Sequence, residues 1–388
     1  MALAVVSGAL ANKPLSGGEA WVRLSWVLGL RRLGFEVYFV EEIAGAGCRD
    51  AAGEPTEFRD SVNRSYFEQV VADFGLAGRA GLLCDGGEDG VGLGLSELET
   101  VAAEAELLVN ISGHLSAESL LRAPRTRLYV DLDPGFSQAW HADPAVEFEL
   151  AGHDHYATVG LNVGSDRSPI PSGGIEWLPT LPPVVLDQWP AAAAAPSQLR
   201  LTTVASWRAP FGAPLLAGRQ TSLKHHQFRR FLELPERVGA ELELALDIHP
   251  GDAADLEALR SHGWRVVDPH EVAVGPALFR DYVAGSGGEF SVAQGIYAEA
   301  SSGWFSDRSA AYLASGRPAL VQDTGIGEQL SAGEGLLTFS TFEQAVQGVE
   351  RIAADPAGHG AAARELAVRR LDSDLVLGDL LARTGVGD

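Results

Sequence analysis

The chain has 388 residues, more than one ordinary core accommodates, so two domains are expected. It is 46% hydrophobic and 21% charged with a net charge of -23, a balance that repels nucleic-acid phosphates and anionic lipid, and its densest basic stretch is only "KHHQFRR", Lys224 to Arg230. No apolar run approaches the roughly 20 residues of a membrane-spanning helix, and Cys48 and Cys84 have neither metal-ligand spacing nor the density of a disulfide framework, so the expectation is a cytoplasmic protein without nucleic-acid partner or stable membrane insertion.

The first residues, "MALAVVSGALANKP", lack a basic leader and read as a buried strand, "ALAVVSG", running into a polar loop. A helix follows with Trp21, Leu24, Ser25 and Leu28 on one face, Gly34 stops it, and "FEVYFVEE" is a second strand, which completes a βαβ unit. "LSELETVAAEA" then reads as helix, "ELLVNISG" and "RLYVDLD" as strands. Further on, "LELALDIHP", "DAADLEALRSHG" and "WRVVDP" read as strand, helix, strand. Such alternation predicts parallel sheets with helices on both faces. The segment from Leu181 to Gln198, "LPPVVLDQWPAAAAAPSQ", interrupts it with Pro and Ala and reads as a connector between two α/β halves. After about Gly335 the chain is expected to be helical and polar.

In open parallel sheets ligands bind beyond the carboxyl ends of the strands. The segments expected there include "GALANKPLSGG", "ISGH", "DLDPGF", "SWRAPFG", "SSGWFSDRS" and "QDTG", all rich in Gly and polar side chains. A helix is expected to begin near Ser306, and its first turn offers unpaired N–H groups and a partial positive charge to an anion. Ser306 and Ser309 can add hydroxyls and Arg308 a charged fork. The alternative is an ordinary N-cap with a surface arginine. Asp323, at the end of the strand "PALVQD", suits sugar hydroxyls, or is the acceptor of a local turn. Gly17 and Gly18 let backbone approach a ligand, and Arg208 and Lys224 add cations to an acidic chain. Neither a GxGxxG fingerprint nor a GxxxxGK[ST] loop is present.

These segments resemble the GT-B glycosyltransferases. "SGGEAWVRLSWVLGLRRLGFEVYFVE" is similar to that family's first βαβ unit, and "SDRSAAYLASGRPALVQDTG" to its donor-site helix and strand. "DIHPGDAADLEALRSHGWRVVDP", "EFSVAQGIYAEASSGWFSDRS" and "YVDLDPGF" resemble a bacterial group of glycosyltransferases more narrowly, and the resemblance spans nearly the whole chain. It implies two facing Rossmann-like domains with a cleft between them. These are 1–185 on the acceptor side, a linker at 186–198, a nucleotide-sugar domain at 199–365, and a last helix within 366–388 crossing back to the first domain. It also implies that Ser306, Asp307, Arg308 and Ser309 bind the donor diphosphate, that Asp323 and Thr324 hold donor sugar hydroxyls, and that Gly17 and Gly18 line the cleft. Retaining members carry a pair of glutamates whose places here are Gly303 and Ala311, a departure that favours an inverting route.

An inverting transfer needs a base for the acceptor hydroxyl and positive charge for the departing diphosphate. Arg308, helped by Lys224 or Arg208, would supply the charge, with no metal and no cofactor beyond the donor substrate. His114, Asp131 and Asp133 are the base candidates, the first two being preferred; Asp131 and Asp133 lie on one side of a strand and read as a base and its neighbour, as a divalent-ion site, or as one buried, paired carboxylate and one cap of the Pro-Gly turn. "GHDHY" lacks the further ligands a metal site requires. The expected function is glycosyl transfer from a nucleotide-diphosphate sugar to an unknown acceptor; the alternatives are a sugar-nucleotide epimerase and a non-catalytic nucleotide-sugar-binding protein.

Overall fold

A computed structural model describes residues 2–143, 146, 150–191, 198–209, 212–216 and 218–387. Within the expected linker, residues 192–197 lie outside the described residues. The first sheet is built from β1 (Leu3–Ser7), β2 (Glu36–Ile43), β3 (Ala80–Cys84), β4 (Asp89–Gly92), β5 (Leu107–Ile111), β6 (Thr126–Asp131), β7 (His155–Thr158) and β8 (Trp177–Pro179). Their order is β4-β3-β2-β1-β5-β6-β7-β8, and all neighbours are parallel except β3 and β4. β3 and β5 are buried along their whole length, as strands covered on both faces must be.

The second sheet contains β9 (Arg200–Ser206), followed by a small hairpin of β10 (Leu215–Leu216) and β11 (Arg219–Gln220) outside it. It continues with β12 (Glu241–Asp247), β13 (Arg265–Val267), β14 (Gly288–Ser291), β15 (Ala319–Gln322) and β16 (Leu336–Phe339). The order β13-β12-β9-β14-β15-β16 is wholly parallel, the arrangement of a doubly wound dinucleotide-binding sheet. β16 corrects the expectation of a purely helical chain after Gly335: "LLTF" is a buried strand, and the helices Phe342–Ala354, Pro356–Arg370 and Ser373–Thr384 come after it. The last of these packs on the first helix, Gly17–Arg32, where Arg32 forks onto Asp374 at 2.8 and 2.9 Å.

In both sheets the order of the strands reverses at one point, between β1 and β5 and between β9 and β14, and ligand clefts form at such points. The halves meet along two seams. In one, the helix Gly17–Arg32 lies on the helix Pro276–Gly285: Gly17 N–H donates to Ala273 O at 2.8 Å and Trp21 Nε1 to Pro276 O at 2.8 Å. A Cβ on Gly17 would stand 2.2 Å from Gly275 O, so only glycine admits this approach. In the other, Gly160 forms an antiparallel bridge with Trp304, and Asn162 N–H donates to Ser302 O at 3.0 Å. One apolar core runs through both halves, with Trp189 ringed by Trp21 at 4.9 Å and Phe279 at 6.2 Å.

Candidate functional site

The helix expected near Ser306 spans Asp307–Ala314, with Ser306 as its N-cap, accepting from Arg308 N–H at 3.2 Å. Arg308 does not point outward. Its Nε donates to Glu289 Oε1 at 2.6 Å, Nη1 to Val204 O at 2.9 Å and Nη2 to Ser291 Oγ at 2.7 Å. Val204 is on β9 and the other two are on β14, so the guanidinium fastens the switch point from beneath. This corrects the reading of its fork as a diphosphate ligand: every arm already serves the sheet. Ser309 is also buried, 1% exposed, beside Ser291, Ser306 and Gln322 on a cavity of about 10 Å³, the size of one water. Asp307 is half-buried, and burial raises its carboxyl to about 6, with Glu19 and then Asp133 adding to the rise.

Lys224 opens the helix Lys224–Phe228, its N–H held by Gln294 Oε1 at 2.8 Å. Burial, then the nearby Arg308, pull its ammonium down to about 8, while Asp133, Glu19 and Glu289 act the other way. Two of those acids, Asp133 and Glu19, belong to the first half, which places Lys224 between the halves. Among the described residues no ion pair engages its Nζ. Arg208, by contrast, is tied to Asp252 at 2.5 and 2.7 Å, and its charge bears on His225, the neighbour of Lys224 in the same helix. Asp323 Oδ1 accepts from Gly325 N–H at 2.9 Å and Thr324 Oγ1 donates to Trp304 O at 2.6 Å. The first bond makes the local turn that was the alternative for Asp323, and the second braces the loop before the helix.

On the first half, Asp131 is fully buried and accepts from Asp133 N–H at 3.0 Å, Ser137 Oγ at 2.6 Å, Gln138 Nε2 at 2.8 Å and Thr158 Oγ1 at 2.7 Å. A carboxylate so enclosed has no lone pair directed at a ligand, which corrects its reading as a base; it shapes the turn after β6. His114 is half-buried and its imidazole is held down to about 4 by burial, then by Arg23 and Lys13. Gly17 and Gly18 pack against Gly275 and the Phe279 ring of the other half rather than lining open space, a third correction. Asp133 reaches across the cleft, its Oδ1 accepting from Tyr297 Oη at 2.6 Å.

Sequence reasoning missed three groups here. Glu19 bonds both Lys13, at 3.0 Å, and Arg23, whose side chain is 2% exposed. The two cations hold its carboxyl down to about 2 against the opposing effect of burial. The spacing of Glu19 and Arg23, one helical turn apart at the helix mouth, was the available signal. Glu41 is fully buried and accepts N–H from Leu10 at 2.8, Ala11 at 2.8 and Asn12 at 2.7 Å, so it fixes the loop that carries Lys13. Glu42 does the same for the loop after β5, accepting from Ser116 and Ala117 N–H at 2.5 and 2.9 Å. Two adjacent acids closing a strand marked that position. Among the described residues no three His, Cys, Asp or Glu side chains share a place where they could hold a metal ion.

No protein-family model matches the sequence, and no curated protein matches it significantly. Solved structures match over their full length. One is AviGT4, a glycosyltransferase of avilamycin A biosynthesis, at TM-score 0.55 and 13% identity, covering 99% of this chain and 97% of that one. Another is an alpha-glucosyltransferase in complex with UDP and a DNA 13-mer, at TM-score 0.59 and 11% identity, covering 99% and 100%. This is the GT-B fold. A third GT-B match is a putative UDP-N-acetylglucosamine 2-epimerase from Listeria monocytogenes, at TM-score 0.51 and 14% identity, covering 98% and 95%. No helix among the described residues of this GT-B chain is long and apolar enough to cross a membrane.

Proposed function

We propose that this GT-B protein transfers a glycosyl group from a nucleotide-diphosphate sugar to an acceptor hydroxyl, in the cytoplasm and without a resident metal. The observation that carries the reading is Lys224: a half-buried ammonium with no ion-pair partner among the described residues, standing between the halves within reach of the charges of Arg308 and Asp133. A departing diphosphate gains negative charge, and an ammonium in a water-poor cleft together with the first-turn N–H groups of the helix Asp307–Ala314 stabilises it. Ser306 contributes as the cap that fixes this turn, Arg308 and Ser309 from beneath it, Thr324 by bracing the loop ahead of it, and Asp323 by shaping the turn that carries Thr324. The UDP bound by the alpha-glucosyltransferase supports a nucleotide as ligand. Cys48 and Cys84, buried and unpaired, suit a reducing compartment.

The test is a panel of UDP, dTDP, GDP, ADP and CDP followed by thermal unfolding. One of them at a hundredfold excess over its Kd should stabilise the protein by about 2.7 kcal/mol; no shift with any of them rejects the reading. The epimerase match supports a second reading on the same scaffold, and product analysis separates the two. Released nucleoside diphosphate marks transfer, an intact donor with altered sugar stereochemistry marks epimerisation, and binding without turnover marks a binding protein.

A further inference from the structure

A transfer of this kind needs a group that takes the proton of the acceptor hydroxyl. We infer that Asp133 is that group and that Tyr297, from the opposite half, positions it; the inference rests on the glycosyltransferase reading above.

The carboxylates and the imidazole near the first switch point are not equivalent. Asp131 is enclosed by four donors, one of them the N–H of Asp133 itself, so it sets the turn from which Asp133 projects. His114 stands among Arg23, Lys13 and Glu19, all on its own half. Asp133 acts on the donor side: its charge bears on Lys224 and Asp307 of the other half. Its Oδ1 accepts from Tyr297 Oη, and among the described residues no donor bonds its Oδ2. Tyr297 is 3% exposed and stands between Trp304, at 4.6 Å, and Phe136, at 6.1 Å between ring centroids. Burial and the adjacent Asp133 push its phenol well above its ordinary range, so it stays a proton donor to Asp133 and never competes as a base. One carboxylate oxygen is therefore anchored and the other is left for substrate.

The seam between the halves enforces this arrangement. Gly160, which bridges Trp304, has no room for a Cβ because Pro134 would lie 2.4 Å away. The Asp133–Pro134 turn is thus clamped by the same contact that brings in Tyr297. Opening the halves separates base from positioner, so a competent base exists only when the cleft is closed. In the reaction, the acceptor proton passes to Asp133 Oδ2 as the acceptor oxygen bonds the anomeric carbon. The bond from that carbon to the diphosphate oxygen breaks, the electron pair leaves on the diphosphate, and Asp133 returns its proton to solvent. A single displacement inverts the anomeric configuration.

The experiment uses the full chain, Asp133→Asn and Tyr297→Phe. UDP affinity is measured by calorimetry, and nucleotide release to water from UDP-, dTDP-, GDP- and ADP-glucose is measured on the best donor. Asp133→Asn should bind UDP within about threefold of the parent and release nucleotide about 100-fold more slowly. Tyr297→Phe should lower kcat about tenfold while leaving the KM for the donor within about twofold, the split expected when a base is misplaced and donor binding is untouched. The sugar released should have the inverted anomeric configuration by NMR. Parental rates in Asp133→Asn, with UDP binding intact in both proteins, overturn the assignment of Asp133 alone. A parent that binds none of the nucleotides overturns the glycosyltransferase reading and this inference with it.

Discussion

Arg308 and Glu289 form an ion pair beneath the second switch point, Nε to Oε1 at 2.6 Å, with Glu289 fully buried and the Arg308 side chain 16% exposed. A charged pair taken out of water costs least while both partners remain and their other atoms are bonded. Arg308 meets that condition through Val204 O and Ser291 Oγ, whereas Glu289 Oε2 is buried with no hydrogen-bond partner among the described residues, so the carboxylate depends on Arg308 alone. The helix it belongs to is thereby fixed in height and direction over β9 and β14, and the positive charge left for a ligand is that of Lys224.

Arg308→Ala should therefore cost about 3 kcal/mol of stability, because Glu289 would remain buried without its partner. Denaturant unfolding measures this. Replacing Glu289 by Leu together with Arg308→Met should recover most of the loss, since the pair is then exchanged for apolar groups of similar volume. Parental stability in Arg308→Ala would show that the pair carries no weight in the fold.

Lys224→Met separates binding from folding. Burial and Arg308 lower this ammonium to about 8, so the native state disfavours its charge. Between pH 8 and the unfolded value of 10.5 the unfolded chain binds more protons, so stability rises with pH across that window and the parent carries the full cost below it. The methionine variant should be more stable than the parent at pH 7 by about 1 kcal/mol, the half-exposed amine discounting a larger figure. It should bind UDP at least about tenfold more weakly, the loss expected of one charge-assisted contact. Parental UDP affinity by calorimetry would remove Lys224 from the site.

The architecture was legible because buried parallel strands and amphipathic helices alternate with Gly-rich stops; "ALAVVSG", "FEVYFVEE" and "RLTTVASW" all contain strands. β3, β4, β7, β8 and β14 were not read, being short and built on "AGLLC", "DGVG", "HYAT", "WLP" and "GEFS", with no run or alternation long enough to register. In the site, Lys224 was legible as a rare cation in an acidic chain. The direction of Arg308 was not. A long side chain at the start of a helix can reach solvent or fold back on the sheet, and the choice here is made by Glu289, a carboxylate inside a strand, 19 residues earlier. Asp131 and Asp133 illustrate the same limit: their spacing puts them on one side, but which is enclosed depends on Ser137, Gln138 and Thr158.

Asp307 sets a pH dependence on donor binding. Its carboxyl, raised by burial to about 6 from 3.8, sits at the helix start where the diphosphate is proposed to bind. Above pH 6 the ionised form repels that ligand, so UDP affinity should fall as pH rises through 6. Asp307→Asn should bind UDP more tightly than the parent at pH 7.5 and equally at pH 5; the nucleotide's own titration is common to both proteins and cancels in the ratio. For stability, the raised pKa means that the native state binds more protons between 3.8 and 6, so the contribution of Asp307 is fully present below 3.8 and is lost as pH rises to 6. A pH-independent ratio of affinities would place the carboxylate away from the ligand.

Gly303 stands where the sequence resemblance would place a glutamate, and the second seam leaves no room for one. Its φ is +73°, and an added Cβ would lie 2.8 Å from Asn162 N and 3.0 Å from Leu161 N, backbone atoms of the opposite half. Leu161 and Asn162 donate to Gly303 O and Ser302 O, and Asn162 Nδ2 donates to Ser301 O at 2.9 Å, so the loop cannot retreat without releasing these bonds. Gly303→Ala should cost about 2 kcal/mol or more from the strained φ and the clash together, and Gly303→Glu should open the seam rather than add a donor handle. Amide exchange reports this directly. In the parent Leu161 and Asn162 should be protected, and in Gly303→Glu they should exchange faster while β12, which touches neither residue, keeps its protection. Unchanged protection at Asn162 would mean that the seam tolerates the side chain, and the absence of a glutamate would then need a cause other than sterics.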